Sequence, residues 1–482
     1  MKRIVISKLF LYRYRFVIGY SLLSVAFVLL LLFLPAFSQR GLSGEEINSA
    51  TESYYLNFGK VSDGDIVDLP YHLLQKASIS LLGLSSYSVK LPSIIVGLLL
   101  GLFLVLLLNR WFKSNVSLLA SCLMILSSPF LFLAGSGTPL IMLLFWPTVL
   151  LWLGSKIQGE KRPKPFYCFV FAIAMLLSLF TPYMMYFAVF CVVFVLLQPH
   201  LRFIAKNLPR LPLIAVIALC LIGVAILVMA SIRHPDTLAR LLLVDNFSLE
   251  HLWRNLSVGF APVFTWNGSI EGVFLSPLIS LPILALSLIG LFSTTKGFFA
   301  SRNSIATLLL IFAVLLTCFE PDAVIAILLP FSILVAHGIK YLLEKWYGLF
   351  PENPYARISA VIPLSALFLL MIVPSLLHYS YGYRFDPNVA RQFSERLSVI
   401  REHINSGYLV ADEHYEFYKI LENSYDIKVV NDANSTNGAF AHLGRPEKVP
   451  EQSRLDRIIT SPMLDNSDII YVYKITQPTE GE

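Results

Sequence analysis

Long apolar runs separated by short polar segments make up most of the chain between residues 16 and 378. Runs of about 17–25 apolar residues have the length of a helix that crosses a hydrocarbon core about 30 Å thick. The pattern therefore predicts an all-α polytopic transmembrane bundle with about eleven spans. The predicted spans cover residues 16–37, 91–109, 116–134, 139–155, 166–181, 183–198, 211–231, 273–293, 303–319, 323–343 and 358–378.

The polar segments between these runs differ in charge on the two sides of the predicted bundle. Lys and Arg cluster before the first span, at residues 2–15, and after the fourth, at residues 156–164. On the opposite side, Asp and Glu outnumber Lys and Arg up to residue 378. Because short loops rich in Lys and Arg stay in the cytoplasm, we expect an N-in/C-out protein of the cell (plasma) membrane.

Composition agrees with a membrane protein: 56% of residues are hydrophobic and 14% are charged, whereas soluble domains carry about 25% charged residues. The net charge of +6 comes from the inner loops, so it requires no nucleic-acid partner. Every cysteine falls in a predicted span, and their spacing fits neither a zinc nor a haem site. The cysteines are Cys122, Cys168, Cys191, Cys220 and Cys318.

Within the predicted transmembrane domain, residues 1–378, two outer connections are long enough to hold structure of their own. They span residues 38–90 and 232–272, and both contain amphipathic patterns. Amphipathic helices of this kind lie in the membrane interface, with their apolar faces toward the lipid. We therefore expect interfacial helices in both outer loops.

The first outer loop has clear helix signals. Ser43 and Glu46 have the spacing of a capping box, in which each side chain bonds the backbone N–H of the other residue. The helix that follows is predicted to lie on the membrane surface and to end at Gly59. Its apolar stripe consists of Ile47, Ala50, Tyr54 and Phe58. A second helix is predicted from Leu69 to Leu82, with a proline at its start.

After residue 378 the composition changes to that of a soluble domain. We expect a small extracytoplasmic α/β domain at residues 379–482. Its predicted elements are a helix at 386–407, a strand at 408–411, a helix at 413–421, and strands at 427–430 and 469–475.

Glu45 is the first candidate for chemistry. It stands beside Glu46 at the predicted membrane boundary and shares a helix face with Glu52, seven residues later. A carboxylate near hydrocarbon has a raised pKa and can remove a proton from a hydroxyl as a general base. The alternative is structural, because acidic side chains at a helix N-terminus also complement the helix dipole. The two interpretations are compatible, since Glu46 can cap the helix while Glu45 points into a cavity.

The first outer loop resembles that of the GT-C membrane glycosyltransferases, in particular the dolichyl-phosphate-mannose–protein mannosyltransferases and the lipid A aminoarabinose transferases. In that family an acidic pair after the first span precedes a proline-leucine element and a Gly-x-Ser…Arg-Leu-Pro-Ser element. The corresponding segments of this chain are Gly44-Glu45-Glu46, Asp68-Leu69-Pro70-Tyr71-His72-Leu73-Leu74, Gly83-Leu84-Ser85 and Lys90-Leu91-Pro92-Ser93.

The resemblance implies a glycosyltransferase that moves a sugar, with inversion, from a polyprenyl-phosphate donor to a lipid, glycan or protein acceptor on the extracytoplasmic face. It assigns the catalytic acid to Glu45 and the second acid to Glu46, and Lys90 replaces the family's arginine. The family's acidic residue is absent from the turn at 135–139, which leaves a catalytically silent scaffold open. A lipid or solute transporter also stays open, although such proteins carry ionisable residues within their spans and internal repeats.

The implied donor phosphate requires cations on the outer side, and the candidates are Lys60, Lys90, Arg240 and Arg254. Arginine can bind phosphate through two parallel hydrogen bonds, and lysine as a point charge. Each of these residues has an alternative interpretation as an interfacial cation that contacts membrane lipids.

Asp68, His72 and Tyr183 are the predicted substrate-binding residues. His72 is expected near the mouth of the cavity, where it could hydrogen-bond a substrate hydroxyl or phosphate, or it could be an ordinary interfacial residue. Tyr183, at the outer end of a span, could stack on a sugar or belong to the aromatic belt of the membrane interface. Asp63, Asp65 and Asp68 also have a spacing that suits a divalent cation, and a solvated turn gives the same pattern. No cofactor is therefore certain, and a divalent cation stays open.

Overall fold

The computed structural model describes most of the chain. The described residues are 10–38, 41–56, 66–158, 165–206, 210–233, 235–242, 249–265, 274–297, 300–349, 361–404, 406–436, 438–446, 450, 453–460 and 469–475. Lys60, Phe58, Gly59, Asp63 and Asp65, on which several of the predictions above depend, lie outside these ranges.

Most of the described residues before residue 378 are in helices. They are α1 (Phe10–Ser38), α2 (Gly44–Tyr55), α3 (Leu69–Leu82), α4 (Ser86–Trp111), α5 (Ser114–Ile125), α6 (Ser128–Gly135), α7 (Met142–Gln158), α8 (Pro165–Ser178), α9 (Met184–Leu197), α10 (Pro199–Lys206), α11 (Arg210–Arg233), α12 (Pro235–Leu242), α13 (Leu249–Phe264), α14 (Leu281–Thr295), α15 (Ser301–Phe319), α16 (Leu328–Leu349) and α17 (Val361–Leu377). Short 3-10 helices precede α7 and α16. The two long connections predicted to be outer loops, residues 38–90 and 232–272, contain the helices α2, α3, α12 and α13, and their position in a membrane interface stays a prediction for α3, α12 and α13.

Six helices of the described part are long and apolar enough to cross a membrane, or seven if the bent pair α5–α6 forms one span. Shorter apolar helices lie at 165–178, 184–197, 217–229 and 281–295. The count of about eleven spans stays a prediction, as do the orientation and the domain boundary at residue 379. The span predicted at 116–134 corresponds to two helices, α5 and α6, which meet at an angle of 62°, and it stays a prediction that the pair forms one span.

The second span begins earlier than predicted, at Ser86 instead of residue 91. The helix continues through Pro92 although proline has no N–H to donate to the carbonyl four residues before it. That carbonyl, on Ser88, instead accepts a hydrogen bond from the Ser78 hydroxyl at 2.6 Å. A side chain of α3 therefore satisfies the backbone group that proline leaves free, and so ties α3 to α4.

Two glycines allow the close approach of α14 and α16. A Cβ on Gly290 would meet the Leu334 carbonyl, and one on Gly338 would meet the Leu286 carbonyl. Helices in a bilayer associate through such backbone contacts, because lipid provides no hydrophobic drive to bury side chains.

The C-terminal part of the chain forms a small α/β unit with a five-stranded sheet, in agreement with the predicted fold class. Its strands are β3 (Ser406–Val410), β4 (Asp426–Val430), β5 (Phe440–Leu443), β6 (Ser453–Ile459) and β7 (Ile470–Ile475), in the spatial order β4-β3-β5-β7-β6. The first three are parallel, and β7 pairs antiparallel to β5 and β6. The predicted strands at 408–411, 427–430 and 469–475 are confirmed, whereas β5 and β6 were not predicted.

The helix predicted at 386–407 is wrong. The segment contains a short helix at Pro387–Ala390, the strand β2 at Phe393–Ser394, and a helix at Arg396–His403. Strand β2 pairs antiparallel with β1 (Leu42–Ser43), which directly precedes α2. Phe393 could not be assigned to a strand from local periodicity, because its partner lies at the other end of the chain.

The apolar stripe of α2 packs against this C-terminal unit, and its predicted position on the membrane surface is wrong. Ile47 and Ala50 share a buried cluster with Leu397, Leu409 and Phe417. The C-terminal unit therefore braces the segment that carries Glu45 and Glu46.

Candidate functional site

The capping box at the start of α2 forms as predicted. The Ser43 hydroxyl accepts a hydrogen bond from the Glu46 N–H at 3.2 Å, and the Glu46 carboxylate accepts one from the Ser43 N–H at 2.9 Å. The other carboxylate oxygen of Glu46 accepts from the Gly137 N–H at 2.6 Å. Glu46 is completely buried and does not line the outer cavity described below. This position fits the capping and supporting role allowed for Glu46, and its direct participation in catalysis stays a prediction that the geometry does not support.

Lys90 is the buried counter-charge of Glu46. Its Nζ lies 3.8 Å from the Glu46 carboxylate and donates to the Gly41 carbonyl at 2.8 Å. Its side chain is 3% exposed and does not line the outer cavity. Its charge is therefore paired inside the protein in this structure, and the predicted contact of Lys90 with a donor phosphate stays a prediction that this position does not support.

Gln75 of α3 completes the buried polar network around the turn at 135–138. Its amide nitrogen donates to the Val89 carbonyl at 3.0 Å and to the Gly137 carbonyl at 2.9 Å. Its amide oxygen accepts from the hydroxyls of Ser49 and Ser53, at 2.9 Å and 2.6 Å. Glu46 and Gln75 thus hold both backbone groups of Gly137, and they fix the turn against α2, α3 and α4.

A cavity of about 310 Å³ opens beside this network, between the outer loops and the ends of the spans. Its lining residues are Glu45, Asn48, Ser49, Glu52, Val67, Asp68, His72, Thr138, Pro139, Leu140, Leu143, Thr181, Pro182, Tyr183, Arg240 and Asp322. The lining combines a polar side, from α2 and α3, with an apolar side toward α7. Such a surface suits a substrate that has a polar head and an apolar tail.

Glu45 is exposed to this cavity. The low-dielectric surroundings raise the pKa of its carboxyl to about 7, with further contributions from the charges of Asp322, Glu46 and Glu320. A base works best when its pKa lies near the operating pH. The described geometry therefore gives Glu45 the position and the pKa of a general base.

Asp68 and His72 line the cavity beside Glu52. Asp68 has a left-handed backbone (φ 52°), which aspartate tolerates better than most residues. Burial raises the pKa of its carboxyl to about 8. Burial lowers the pKa of His72 to about 4, so this imidazole is neutral near pH 7. Its Nε2 lies 3.6 Å from the Glu52 carboxylate, and its Nδ1 lies 2.7 Å from the Ser53 hydroxyl.

The predicted cations have different positions. Arg240 lines the cavity, and its guanidinium lies 3.7 Å from the Glu52 carboxylate. Arg254 is exposed on α13 and does not line the outer cavity, so its predicted contact with the donor phosphate is not supported. Tyr183 lines the cavity as predicted, with a left-handed backbone at the start of α9. No group of three or more metal-binding side chains occurs within the described ranges, and the divalent cation stays a prediction.

Comparison with known proteins agrees with this architecture. A family model described as dolichyl-phosphate-mannose-protein mannosyltransferase matches residues 70–227. The structure is similar to that of ArnT from Cupriavidus metallidurans bound to undecaprenyl phosphate, with a TM-score of 0.54 and 12% identity over 94% of this chain and 98% of that one. The chain has the GT-C fold.

The structure is also similar to that of the oligosaccharyltransferase AglB from Archaeoglobus fulgidus, solved with an inhibitory peptide and a dolichol-phosphate. The TM-score is 0.55, with 10% identity over 90% of this chain and 70% of that one. No curated protein sequence matches the chain. The family match begins after Glu45, so the role of this residue depends on the geometry of the cavity.

Several lining residues were not predicted as parts of the site. Asp322 lies in the 3-10 helix before α16. The sequence predicts Glu320 and Asp322 on the same side as the first long connection, as possible cation ligands, but does not assign either to the substrate cavity. Thr138 and Thr181 are in outer turns that lack acidic residues and gave no chemical signal. The sequence signal that could have identified Asp322 was the presence of acidic residues both in its own turn and in the connection at 38–90, which are predicted to lie on the same side of the bundle.

Gly137 provides a test of the polar network within the GT-C core. A Cβ at this position would lie 2.9 Å from a methyl of Val89 and 3.1 Å from the Val89 carbonyl. We expect Gly137→Ala to destabilise the protein by about 1–3 kcal/mol, because the turn must move away from α4. Thermal unfolding in detergent measures the change. Gly154→Ala is the matched control, since a Cβ there meets nothing within 4 Å, and equal effects of the two substitutions would contradict the prediction.

Proposed function

We propose that this protein is a membrane glycosyltransferase. It transfers a sugar from a polyprenyl-phosphate donor to an acceptor hydroxyl at the extracytoplasmic surface. The observation that carries the proposal is the position of the Glu45 carboxyl in the lining of a cavity of about 310 Å³. Desolvation, which raises the pKa of this carboxyl to about 7, supports it. The relatives solved with undecaprenyl phosphate and dolichol-phosphate support a polyprenyl carrier.

In the proposed reaction the acceptor hydroxyl attacks the anomeric carbon of the sugar from the face opposite the phosphate. The bond between that carbon and the phosphate oxygen breaks, and the electron pair leaves with the polyprenyl phosphate. Glu45 accepts the proton of the attacking hydroxyl, so that no positive charge remains on the new glycosidic oxygen. Attack from the opposite face inverts the configuration at the anomeric carbon.

The leaving phosphate requires a positive partner, and Arg240 is the proposed one. It lines the same cavity as Glu45, and its planar guanidinium can donate two hydrogen bonds to a phosphate. Lys60 stays a candidate for the same role. In this proposal Glu46 and Lys90 do not contact the substrate. They hold the first turn of α2, and therefore Glu45, in position.

The purified protein, reconstituted in liposomes, tests the proposal with a panel of undecaprenyl-phosphate-linked hexoses, pentoses and amino sugars. A lipid extract of the cell envelope serves as the acceptor. We expect release of undecaprenyl phosphate from one class of donor, together with a glycosylated product. A protein that is folded but consumes none of the donors would contradict the proposal, and a donor carried unchanged across the membrane would indicate a transporter.

Arg240→Gln is expected to raise the KM for the donor about tenfold, because a hydrogen bond to a charged phosphate is lost. The turnover number should change less than KM, since the sugar and Glu45 keep their contacts. Steady-state kinetics with the active donor measure both. Arg254→Gln is the matched control, because Arg254 is exposed and lies outside the cavity lining. Equal KM values for the two variants would remove Arg240 from the phosphate site.

A further inference from the structure

The hydrogen bonds of Gln75 fix the direction of the protons around it. Its amide nitrogen faces two carbonyl oxygens, of Val89 and Gly137, which can only accept. Its amide oxygen must therefore face the hydroxyls of Ser49 and Ser53, at 2.9 Å and 2.6 Å. The reversed amide would place an oxygen against two carbonyls and lose all of these bonds.

This assignment determines the tautomer of His72. A serine hydroxyl has a single proton, and the Ser53 hydroxyl donates its proton to Gln75. The contact of 2.7 Å between Ser53 Oγ and His72 Nδ1 then requires Nδ1 to carry the proton. The imidazole of His72 is therefore held with Nδ1 as donor and with a lone pair on Nε2.

The lone pair of Nε2 is directed toward another acceptor. Nε2 lies 3.6 Å from the Glu52 carboxylate oxygen, and both side chains line the outer cavity. Two acceptors at this separation repel each other unless a group that donates hydrogen bonds lies between or beside them. The Arg240 guanidinium, 3.7 Å from the other Glu52 carboxylate oxygen, is such a group on the Glu52 side, but within the described residues no hydrogen bond to Nε2 is formed. The lowered pKa of His72, about 4, agrees with a neutral imidazole, which cannot supply that donor itself.

We propose that His72 Nε2 and the Glu52 carboxylate form an acceptor pair that binds an O–H or N–H group of the sugar substrate, a hydroxyl or an ammonium. The inference depends on the proposed function for the nature of that substrate. The composition of the cavity agrees with it, because the described lining contains four carboxyl groups, of which Asp68, with a pKa of about 8, is protonated near pH 7, and one guanidinium. These residues are Glu45, Glu52, Asp68, Asp322 and Arg240. An excess of acceptors suits a ligand that presents several donors.

Nitrogen NMR of the full-length protein, labelled with ¹⁵N-histidine in detergent micelles, tests the tautomer without any substrate. The His72→Gln variant assigns the His72 signals by difference. We expect a neutral Nδ1–H imidazole at every pH above its pKa of about 4. In Ser53→Ala the single tautomer should be lost, because Nδ1 then has no acceptor. A neutral Nε2–H form, or a charged imidazole near pH 7, would overturn the inference.

Binding measurements test the acceptor pair itself. We expect His72→Phe to leave the affinity for undecaprenyl phosphate, which has no sugar, unchanged. The same variant should either weaken the affinity for the undecaprenyl-phosphate sugar or raise the KM for the acceptor, in each case about fivefold to tenfold. The first result identifies a group of the donor sugar as the ligand, and the second a group of the acceptor. His72→Gln, whose amide oxygen can accept, should recover part of the loss.

Two results would contradict the acceptor pair. One is unchanged affinity for the donor sugar together with an unchanged acceptor KM. The other is a stoichiometric metal ion in the purified wild type that is lost in His72→Phe, since a cation would then occupy the pair. The tautomer and the affinity for the undecaprenyl-phosphate sugar are both measured without turnover, and only the acceptor KM requires it. Failure of the glycosyltransferase proposal, seen as absent transfer, is therefore distinguishable from failure of this inference.

Discussion

Replacing Glu45 by glutamine is expected to lower the turnover number about 10²–10⁴-fold, the usual contribution of a general base. Glutamine has nearly the same shape and can still accept a hydrogen bond, but it cannot take a proton. The KM for the donor should change little, because Glu45 acts on the acceptor hydroxyl. Kinetics of undecaprenyl phosphate release from the active donor measure both constants.

The pH dependence provides an independent check of the same residue. Because its pKa is raised to about 7, Glu45 is protonated and inactive as a base on the acidic side of that value. The turnover number of the wild type should therefore fall about tenfold per pH unit below about pH 7 and level off above it. In Glu45→Gln the residual rate should lose this dependence.

Glu402→Gln is the matched control, since Glu402 is exposed on a helix of the C-terminal unit and the same charge is removed. We expect this variant to keep the wild-type rate and pH profile. A Glu45→Gln protein that transfers sugar at the wild-type rate would remove the base assignment and leave only the GT-C fold. An unchanged pH profile in Glu45→Gln would assign the titration to another group.

The local parts of this arrangement could be predicted from the sequence. The capping box at Ser43 and Glu46 and the helix Leu69–Leu82 follow from residue types at fixed spacing, and the structure contains both. Glu45 and Glu52 share a helix face by their spacing of seven, and both line the cavity. These features depend on contacts between near neighbours in the chain, which local patterns record.

The non-local parts could not be predicted, because residues distant in sequence determine them. Lys90 has the appearance of an outer cation, but Glu46 and the Gly41 carbonyl bind it inside the protein. The apolar face of α2 is typical of a membrane-surface helix, and the C-terminal unit covers it. Pattern analysis measures how apolar a face is, but it does not identify the partner that buries it.

The acidic residue expected in the turn at 135–139 illustrates the same limit. Its absence left a catalytically silent protein open, because the turn appeared to contribute no chemistry. In the structure, the backbone of Gly137 is bonded to Glu46 and Gln75. The turn therefore helps to position the α2 segment that carries Glu45. It does so through the N–H and C=O of Gly137, which any residue type except proline would provide, so the residue type gave no signal.

The second large effect is expected on stability, when the Glu46–Lys90 pair is broken. Both side chains are buried, at 0% and 3% exposure. Removing one member of such a pair leaves a buried charge without its counter-charge, which costs about 3–5 kcal/mol. We expect this loss for Lys90→Met, with a lowered Tm in detergent. Glu46→Gln should cost a similar amount, because its amide group also places an N–H₂ against a backbone N–H.

The double variant distinguishes a pair from two independent residues. With both charges removed, no unpaired charge remains, so Lys90→Met with Glu46→Gln should lose less stability than the sum of the single variants. Asp456→Asn is the control for an exposed pair, since Asp456 lies 2.8 Å from Lys474 at the surface, and it should cost at most about 1 kcal/mol. Additive losses, or losses no larger than that of the control, would show that the two charges do not stabilise each other.

Since this pair holds the strand before α2 to α4, the single variants should also disorder the first turn of α2. Hydrogen exchange at residues 41–46 should then rise together with the loss of transfer.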